Sequence, residues 1–171
     1  MKFAIIGPPQ SGKSKLFSAI TGQAIDPSHA PAERLASVLV PDDRLDFLAA
    51  IYKPKKYTPT HLEFVDIPVV NLAEPNGPKE FLKTMDTVRR CDGIVMVVRA
   101  FESDSVVKYR NRIDPKADMD ELHTELIFAD LEQVVARIEK LEKSTLKPTK
   151  TRDAELRELA MMRRVQDALE K

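Results

Sequence analysis

The sequence has only one cysteine and no excess of charge of either sign. Its 171 residues contain 27 Lys and Arg against 27 Asp and Glu, so the formal net charge is zero. No global field therefore favours nucleic acid or an anionic membrane as a partner, and any such contact must be local. The single cysteine, Cys91, excludes an internal disulfide framework and is typical of a reducing compartment, so we expect a cytoplasmic protein.

Long apolar runs are absent as well. The apolar run at residues 3–6 is shorter than the ~7–15 residues of a signal peptide, and no stretch approaches the ~18 that span a bilayer. We therefore expect that the protein is not exported through a signal peptide and has no membrane partner. The three histidines, His29, His61 and His123, lie far apart and have no neighbouring cysteine, so they do not indicate a metal site.

The sequence does contain an alternation of strand and helix patterns, in a composition of 43% hydrophobic and 32% charged residues. The strand patterns lie at residues 2–6, 34–40, 61–67 and 93–101, and the helix patterns at residues 12–22, 42–52 and 79–91. This alternation predicts an α/β fold with a mostly parallel sheet flanked by helices. Residues 23–33 are rich in proline and have no period, which predicts a surface loop of a length usually reserved for function.

After Pro115 the pattern becomes purely helical. Apolar residues recur at steps of three and four in two series separated by the turn STLKPTKT. The first series is Met119, Leu122, Leu126, Ala129, Leu131, Val134, Ile138 and Leu141, and the second is Leu156, Leu159, Met162, Val165 and Leu169. Each series predicts a helix with a narrow apolar seam, the first of roughly 28 residues. We therefore predict an antiparallel helical hairpin, or coiled coil, over residues 117–171.

The stretch GPPQSGKS, residues 7–14, carries the clearest chemical signal. It matches the P-loop (Walker A) pattern, in which backbone N–H groups at a helix N-terminus cradle phosphates, a lysine reaches the terminal phosphates and a hydroxyl binds magnesium. It also follows a predicted strand and opens a predicted helix, so residues 1–116 are predicted to bind a nucleoside triphosphate. Pro8 and Pro9 lack an N–H group, but the donors come mainly from the residues after them. The predicted binding residues are Gly7, Gln10, Ser11, Gly12, Lys13, Ser14 and Lys15.

A magnesium ion that bridges two phosphates also needs a carboxylate at the end of a neighbouring apolar strand. The strand pattern LEFVDI supplies Asp66 there, so we predict a Mg²⁺ site at Ser14 and Asp66. Lys13 is the predicted catalytic residue, because its ammonium group and the metal would neutralise charge on the transferred phosphoryl group. We expect Lys13→Ala to abolish triphosphate binding and to leave the fold intact, on the view that the lysine contacts the ligand and no core.

Four segments lie along nearly the whole chain: GPPQSGKSKLF, VPDDRLDFLAAIYKPKKYTPTHLEFVDI, CDGIVMVVRAFESDSV and DPKADMDELHTELIFADLEQVVARIEKLEKS. In combination they resemble the YchF group of Obg-like P-loop nucleoside triphosphatases. The resemblance implies a GTPase-type α/β domain with an inserted helical coiled coil, binding of ATP or GTP with Mg²⁺, and association with ribosomes. Hydrolysis of the β–γ phosphoanhydride is the implied reaction.

The chain departs from the family pattern in the two switch loops. The family has Asp-x-x-Gly after the third strand, whereas this chain has DIPVV. Val69 stands at the position of the family's glycine, and Pro68 precedes it. Val70 stands where Ras-like enzymes carry a water-orienting glutamine, and Ala30 falls at the threonine of the first switch. The second switch is shortened to NLAEPNGP. These departures predict a regulatory nucleoside triphosphatase with weak intrinsic activity.

The sequence ends at Lys171, where family members return to the nucleotide-binding domain and add base-reading strands and a TGS domain. We expect either a fragment of a longer protein or a compact relative whose incomplete sheet is covered by a partner, such as a second copy of the chain. Two other functions stay open. One is a non-catalytic nucleotide-binding or protein-interaction module that uses the helical hairpin. The other is a small-molecule kinase, which fits less well because no arginine-rich lid is apparent.

Overall fold

Four short strands form one sheet in the computed structural model, which describes residues 1–24, 33–146, 148 and 150–171. The strands are β1 (Lys2–Ile6), β2 (Arg34–Leu39), β3 (His61–Asp66) and β4 (Gly93–Met96), in the order β2-β3-β1-β4. β1 is parallel to β3 and to β4, and β2 is antiparallel to β3. The predicted mostly parallel sheet is confirmed, although β4 ends five residues earlier than its apolar pattern. Ala30 and most of the predicted loop 23–33 lie outside the described residues.

Five helices and one 3₁₀ turn (Tyr109–Asn111) accompany the sheet in the described part of the chain. The helices are α1 (Lys13–Thr21), α2 (Asp43–Tyr52), α3 (Gly77–Val88), α4 (Pro115–Thr145) and α5 (Arg152–Leu169). Gly22 ends α1 with a φ of 71°, and the Asp42 carboxylate accepts the first backbone N–H groups of α2. None of these helices, as far as they are described, has the length and apolarity needed to cross a bilayer.

The chain divides into two compact units, residues 1–119 and 120–171. In the first unit, β1 is the centre of the core, because Ala4, Ile5 and Ile6 are all buried and successive strand residues point to opposite faces of a sheet. Ile5 forms a cluster with Phe17 of α1 and Ala36 of β2. This packing fixes the start of α1 next to the carboxyl ends of β1 and β3.

The second unit is the helical pair predicted from the seams. Ile138, Leu141 and Leu159 form its buried cluster, with Val134 and Met162 packed against it. The Ser144 hydroxyl donates to Glu155 near the turn, and Arg137 donates to Glu158 farther from it, as antiparallel helices require. The predicted second seam is wrong in two places. Leu156 and Val165 are 43% and 38% exposed, because they lie outside the more buried side of α5. That side is formed by residues 155, 159, 162, 166 and 169.

Candidate phosphate-binding site

The loop between β1 and α1 is the first element of the site. A Cβ atom on Gly7 would lie 2.3 Å from the Val97 carbonyl oxygen, so no side chain fits there. Gly12 has a φ of 97°, in the left-handed region that favours glycine, and it caps the N-terminus of α1. A helix N-terminus attracts anions through its unpaired N–H groups and its dipole. The loop geometry therefore needs both glycines of the motif and presents α1 as a place for phosphate.

Gln10 has an unusual backbone conformation in this loop, and Ser11 is buried within it. Gln10 has a φ of 63°, which is uncommon for a residue with a side chain. The Ser11 N–H donates to the Pro8 carbonyl oxygen at 3.3 Å, so this amide is engaged within the loop. The Ser11 side chain is buried, and within the described residues its hydroxyl has no hydrogen-bond partner.

Asp66 brings together the polar groups of the site. It ends β3 and lies opposite Ile5 in the parallel register with β1. Lys13 Nζ donates to Asp66 Oδ1 and to the Ile67 carbonyl oxygen, and Ser14 Oγ lies 3.4 Å from Asp66 Oδ2. Arg34 also donates to Oδ2. The sequence predicted that Lys13, Ser14 and Asp66 belong to the site, and the structure brings Lys13 and Ser14 to the Asp66 carboxylate. Arg34, which also bonds to this carboxylate, was not predicted.

Lys13 is more deeply embedded than its sequence pattern suggests. It is only 3% exposed, and its ammonium group joins α1 to the end of β3 through Asp66 and Ile67. Burial lowers the pKa of Lys13, the hydrogen bond and charge of Asp66 oppose that shift, and the charge of Arg34 adds to it. The expectation that Lys13 contacts no core is therefore wrong in this state. Lys13→Ala would remove two buried hydrogen bonds.

A cavity of about 550 Å³ opens at the loop, within the ~300–1,000 Å³ range of small-molecule sites. Every predicted binding residue except Gly7 lines it. The described residues that line it are Pro8, Pro9, Gln10, Ser11, Gly12, Lys13, Ser14, Lys15, Val69, Phe101 and Val106.

The far wall of the cavity, Phe101 and Val106, was missed from the sequence. It is held by Arg99, which is buried and donates to the carbonyl oxygens of Phe101, Ser103, Val106 and Val107 at 3.0–3.3 Å. The Arg99 guanidinium also lies 4.9 Å from the centroid of the Phe101 ring. The sequence did contain a signal for this wall, since Arg99 interrupts an otherwise apolar pattern. A buried charge must find hydrogen-bond acceptors, so such an arginine indicates that nearby backbone carbonyl groups gather around it.

The loop between β3 and α3 contributes Val69 to the cavity, while its second half, from Asn71 to Gly77, is bonded to itself. Asn71 Nδ2 donates to Glu74 Oε1 at 2.8 Å, and Asn71 Oδ1 accepts from the Ala73 N–H at 3.2 Å. The Gly77 N–H donates to the Glu74 carbonyl oxygen, and a Cβ on Gly77 would lie 2.2 Å from the Asn71 carbonyl oxygen. The segment predicted to be a shortened second switch is therefore a compact, self-bonded turn.

The residues at Asp66 fit a magnesium ion that arrives with a nucleotide. Mg²⁺ prefers oxygen ligands and takes most of them from phosphates and water, so a hydroxyl and one carboxylate suffice on the protein side. Ser14 Oγ and Asp66 Oδ2 are such a pair. The described part of the chain holds no cluster of three or more His, Cys, Asp or Glu residues that would form a protein-only site.

Comparison with known proteins gives the family. The family described as "50S ribosome-binding GTPase" matches residues 2–136 of the chain. The chain belongs to this GTPase family. The solved structure of the Schizosaccharomyces pombe YchF GTPase superposes with a TM-score of 0.70 at 29% identity, covering 99% of the chain and 47% of that protein. The GTPase-like P-loop fold predicted from the motifs is thereby confirmed.

Relatives within the GTPase family also confirm the resemblance to the YchF group. The ribosome-binding ATPase YchF of Haemophilus influenzae is 37% identical over 174 residues, which cover 99% of the chain and 47% of the relative. Obg-like ATPase 1 of Bos taurus is 34% identical over 147 residues, which cover 84% of the chain and 37% of the relative. The chain thus spans about half the length of the first of these curated relatives.

Proposed function

We propose that the chain binds a purine nucleoside triphosphate, ATP or GTP, together with Mg²⁺, and hydrolyses it slowly. One observation carries the proposal: Lys13, Ser14 and Asp66 converge at the N-terminus of α1, at the edge of a cavity of about 550 Å³. The three residues and the cavity beside them combine an anion site, a cation and a pair of oxygen ligands, which is the combination that a metal-bound triphosphate requires.

Each group has a separate role in this proposal. The backbone of residues 10–15 and the N-terminus of α1 hold the phosphates. Lys13 moves from Asp66 to the terminal phosphates, where its charge stabilises the transferred phosphoryl group. Ser14 would hold the metal directly and Asp66 would hold it through water; when bound, Mg²⁺ supplies further neutralisation of the phosphate oxygens. Water attacks the γ-phosphorus, the β–γ anhydride bond breaks, and a nucleoside diphosphate and phosphate are released.

Slow turnover follows from the loop between β3 and α3. In GTPase-like switches, a flexible loop reorganises around the γ-phosphate. Here Pro68 fixes one backbone angle, Val69 disfavours the angles open to glycine, and the turn from Asn71 to Gly77 is bonded to itself. Val70 can neither orient nor deprotonate a water molecule. We infer that the site binds its ligand better than it activates water.

The physiological setting that we propose is regulation of translation in the cytoplasm. The YchF relatives are named ribosome-binding ATPases. We extend that association to this chain as a hypothesis, with residues 1–116 as the nucleotide-binding part and the helical hairpin, residues 117–171, as an arm that contacts the partner.

Calorimetric titration of ATP and of GTP, each with Mg²⁺, tests the nucleotide proposal. We choose Lys13→Met because methionine keeps most of the buried aliphatic volume while it removes the charge. The parent should bind saturably, and Lys13→Met should weaken binding at least about a hundredfold, equivalent to ~2.7 kcal/mol. Lys79→Met, at an exposed position of α3, is the matched control and should bind as the parent does. Equal affinity of parent and Lys13→Met, with both chains folded by circular dichroism, would contradict the proposal.

A further inference from the structure

The carboxylate of the proposed metal site already holds a second cation. Arg34 donates to Asp66 Oδ2, the same oxygen atom that lies 3.4 Å from Ser14 Oγ. Lys13 donates to the other oxygen atom, Oδ1. The edge of Asp66 that faces Ser14 is therefore occupied by a guanidinium group.

The sheet itself brings Arg34 to this position. Arg34 is the first residue of β2 and lies directly opposite Asp66 in the antiparallel register with β3. Its guanidinium also lies over the ring of Phe17, 5.0 Å from the centroid, and Phe17 is fully buried in the core. A charge-assisted hydrogen bond and a cation–π contact thus act on the same group. The placement of Arg34 depends on the strand register, with no ligand needed.

Arg34 is also the partner of Asp66 that can leave. Its side chain is 31% exposed, whereas Lys13 is almost completely buried. Two positive side chains face one carboxylate, so in the nucleotide-free chain Asp66 keeps a charged partner at Lys13 when Arg34 turns towards solvent. Once Lys13 has moved to the phosphates, the metal ion would neutralise Asp66 in its place. A buried carboxylate left without any partner would be strongly disfavoured, and this arrangement avoids that outcome.

We propose that Arg34 competes with the divalent cation for the Ser14–Asp66 edge, so that Mg²⁺ is held only after Arg34 has left Asp66 Oδ2. This inference rests on the proposed function and adds a residue that sets its metal requirement. Nucleotide binding should therefore need a higher Mg²⁺ concentration in the parent chain than in a variant that lacks Arg34.

The first experiment titrates Mg²⁺ at a fixed concentration of ATP and measures the Mg²⁺ concentration at half-maximal nucleotide binding. Arg34→Gln keeps a polar side chain and removes the charge, and before nucleotide binds Lys13 still neutralises Asp66. We expect this variant to need about tenfold less Mg²⁺ than the parent, since hydrogen bonds to charged groups are strong enough for such a factor. Arg44→Gln removes an arginine that is 91% exposed and pairs with Asp42, so it should leave the midpoint unchanged. Equal midpoints for the parent and Arg34→Gln would overturn the inference.

The second experiment needs no nucleotide and so separates this inference from the proposed function. Mn²⁺ is added to the isotope-labelled chain, and paramagnetic broadening of the Ser14 and Asp66 amide resonances is followed. Arg34→Gln should show half-maximal broadening at a Mn²⁺ concentration about tenfold lower than the parent, for the same reason. If neither chain binds nucleotide but this shift is seen, the proposed function fails and the competition stands. Half-maximal broadening at the same Mn²⁺ concentration in the parent and in Arg34→Gln would refute the competition, even if both chains bind nucleotide.

Discussion

Two loops leave the same edge of the sheet, one after β1 and one after β3, and they are held in different ways. The β1–α1 loop is fixed by close backbone packing at Gly7 and a left-handed Gly12, and most of its residues face the cavity. The β3–α3 loop is fixed by hydrogen bonds among its own residues, and it contributes only Val69 to the cavity. From this difference we expect the proposed binding of a triphosphate and any response of the chain to it to depend on separate loops.

Matched glycine substitutions in the two loops give the largest expected effect. Gly7→Ala and Gly77→Ala both force a Cβ atom within 2.3 Å of a backbone carbonyl oxygen. Overpacking of this kind destabilises a fold by ~1–3 kcal/mol, so urea unfolding should show similar losses for both. Nucleotide affinity should distinguish the two variants. Gly7→Ala should bind nucleotide about a hundredfold more weakly than the parent, a loss of ~2.7 kcal/mol, and Gly77→Ala should bind it less than about threefold more weakly. A large loss of affinity in Gly77→Ala would show that the two loops are not independent.

Hydrolysis gives the next largest effect. The purified chain should hydrolyse bound ATP or GTP well below ~1 per second, the low end for competent enzymes. Because Pro68 and Val69 restrict the backbone of the β3–α3 loop, Val69→Gly should raise the single-turnover rate by about threefold to tenfold, which is equivalent to lowering the barrier by ~0.7–1.4 kcal/mol. Radiolabelled nucleotide in a single-turnover assay measures both rates. A parent rate of order 1 per second or faster would refute the switch-impaired interpretation.

The pH dependence of ATP binding tests the role of the Lys13 charge, independently of the β3–α3 loop. Because the pKa of Lys13 lies below its ordinary value of 10.5 in the free chain, Lys13 loses its charge earlier than a surface lysine does. The charged form binds phosphate, so ATP affinity should fall as pH rises through the lowered pKa. Calorimetry in a series of alkaline buffers measures this fall. Lys13→Met should show a flat profile, and a parallel fall in that variant would assign the effect to another group.

The smallest effect is expected at Ser11. Its buried hydroxyl has no hydrogen-bond partner among the described residues, so Ser11→Ala removes a desolvated polar group and loses no bond. We expect unchanged stability or a gain of up to ~1 kcal/mol in urea unfolding. Thr84→Val is the comparison, because the Thr84 hydroxyl donates to the Phe81 carbonyl oxygen at 2.7 Å and its loss should destabilise by ~0.5–1 kcal/mol. A clear loss of stability in Ser11→Ala would mean that its hydroxyl is satisfied.

Features that depend on local sequence were predicted well. The apolar runs gave β1 and β3, and Gly22 marks the end of α1 as expected. The end of β4 and the seam of α5 were predicted less well. β4 stops at Met96, and Arg99 makes its bonds with a loop, although the apolar pattern continues. On α5, Leu156 and Val165 flank the buried side, because apolar residues at steps of three fit more than one helical stripe.

The sequence by itself determined the P-loop, because its glycines, lysine and serine act through contacts within a few residues and the adjoining strand and helix follow from apolar periodicity. Only the tertiary structure decided which groups meet Asp66. Arg34 lies 32 positions before Asp66 in the chain, and their contact exists because β2 pairs with β3 in one particular antiparallel register. A shift of that register by one residue would place the side chain on the opposite face of the sheet. Likewise, Arg99 fixes the far wall of the cavity only because burial forces its guanidinium to bond the carbonyl oxygens of residues 101–107.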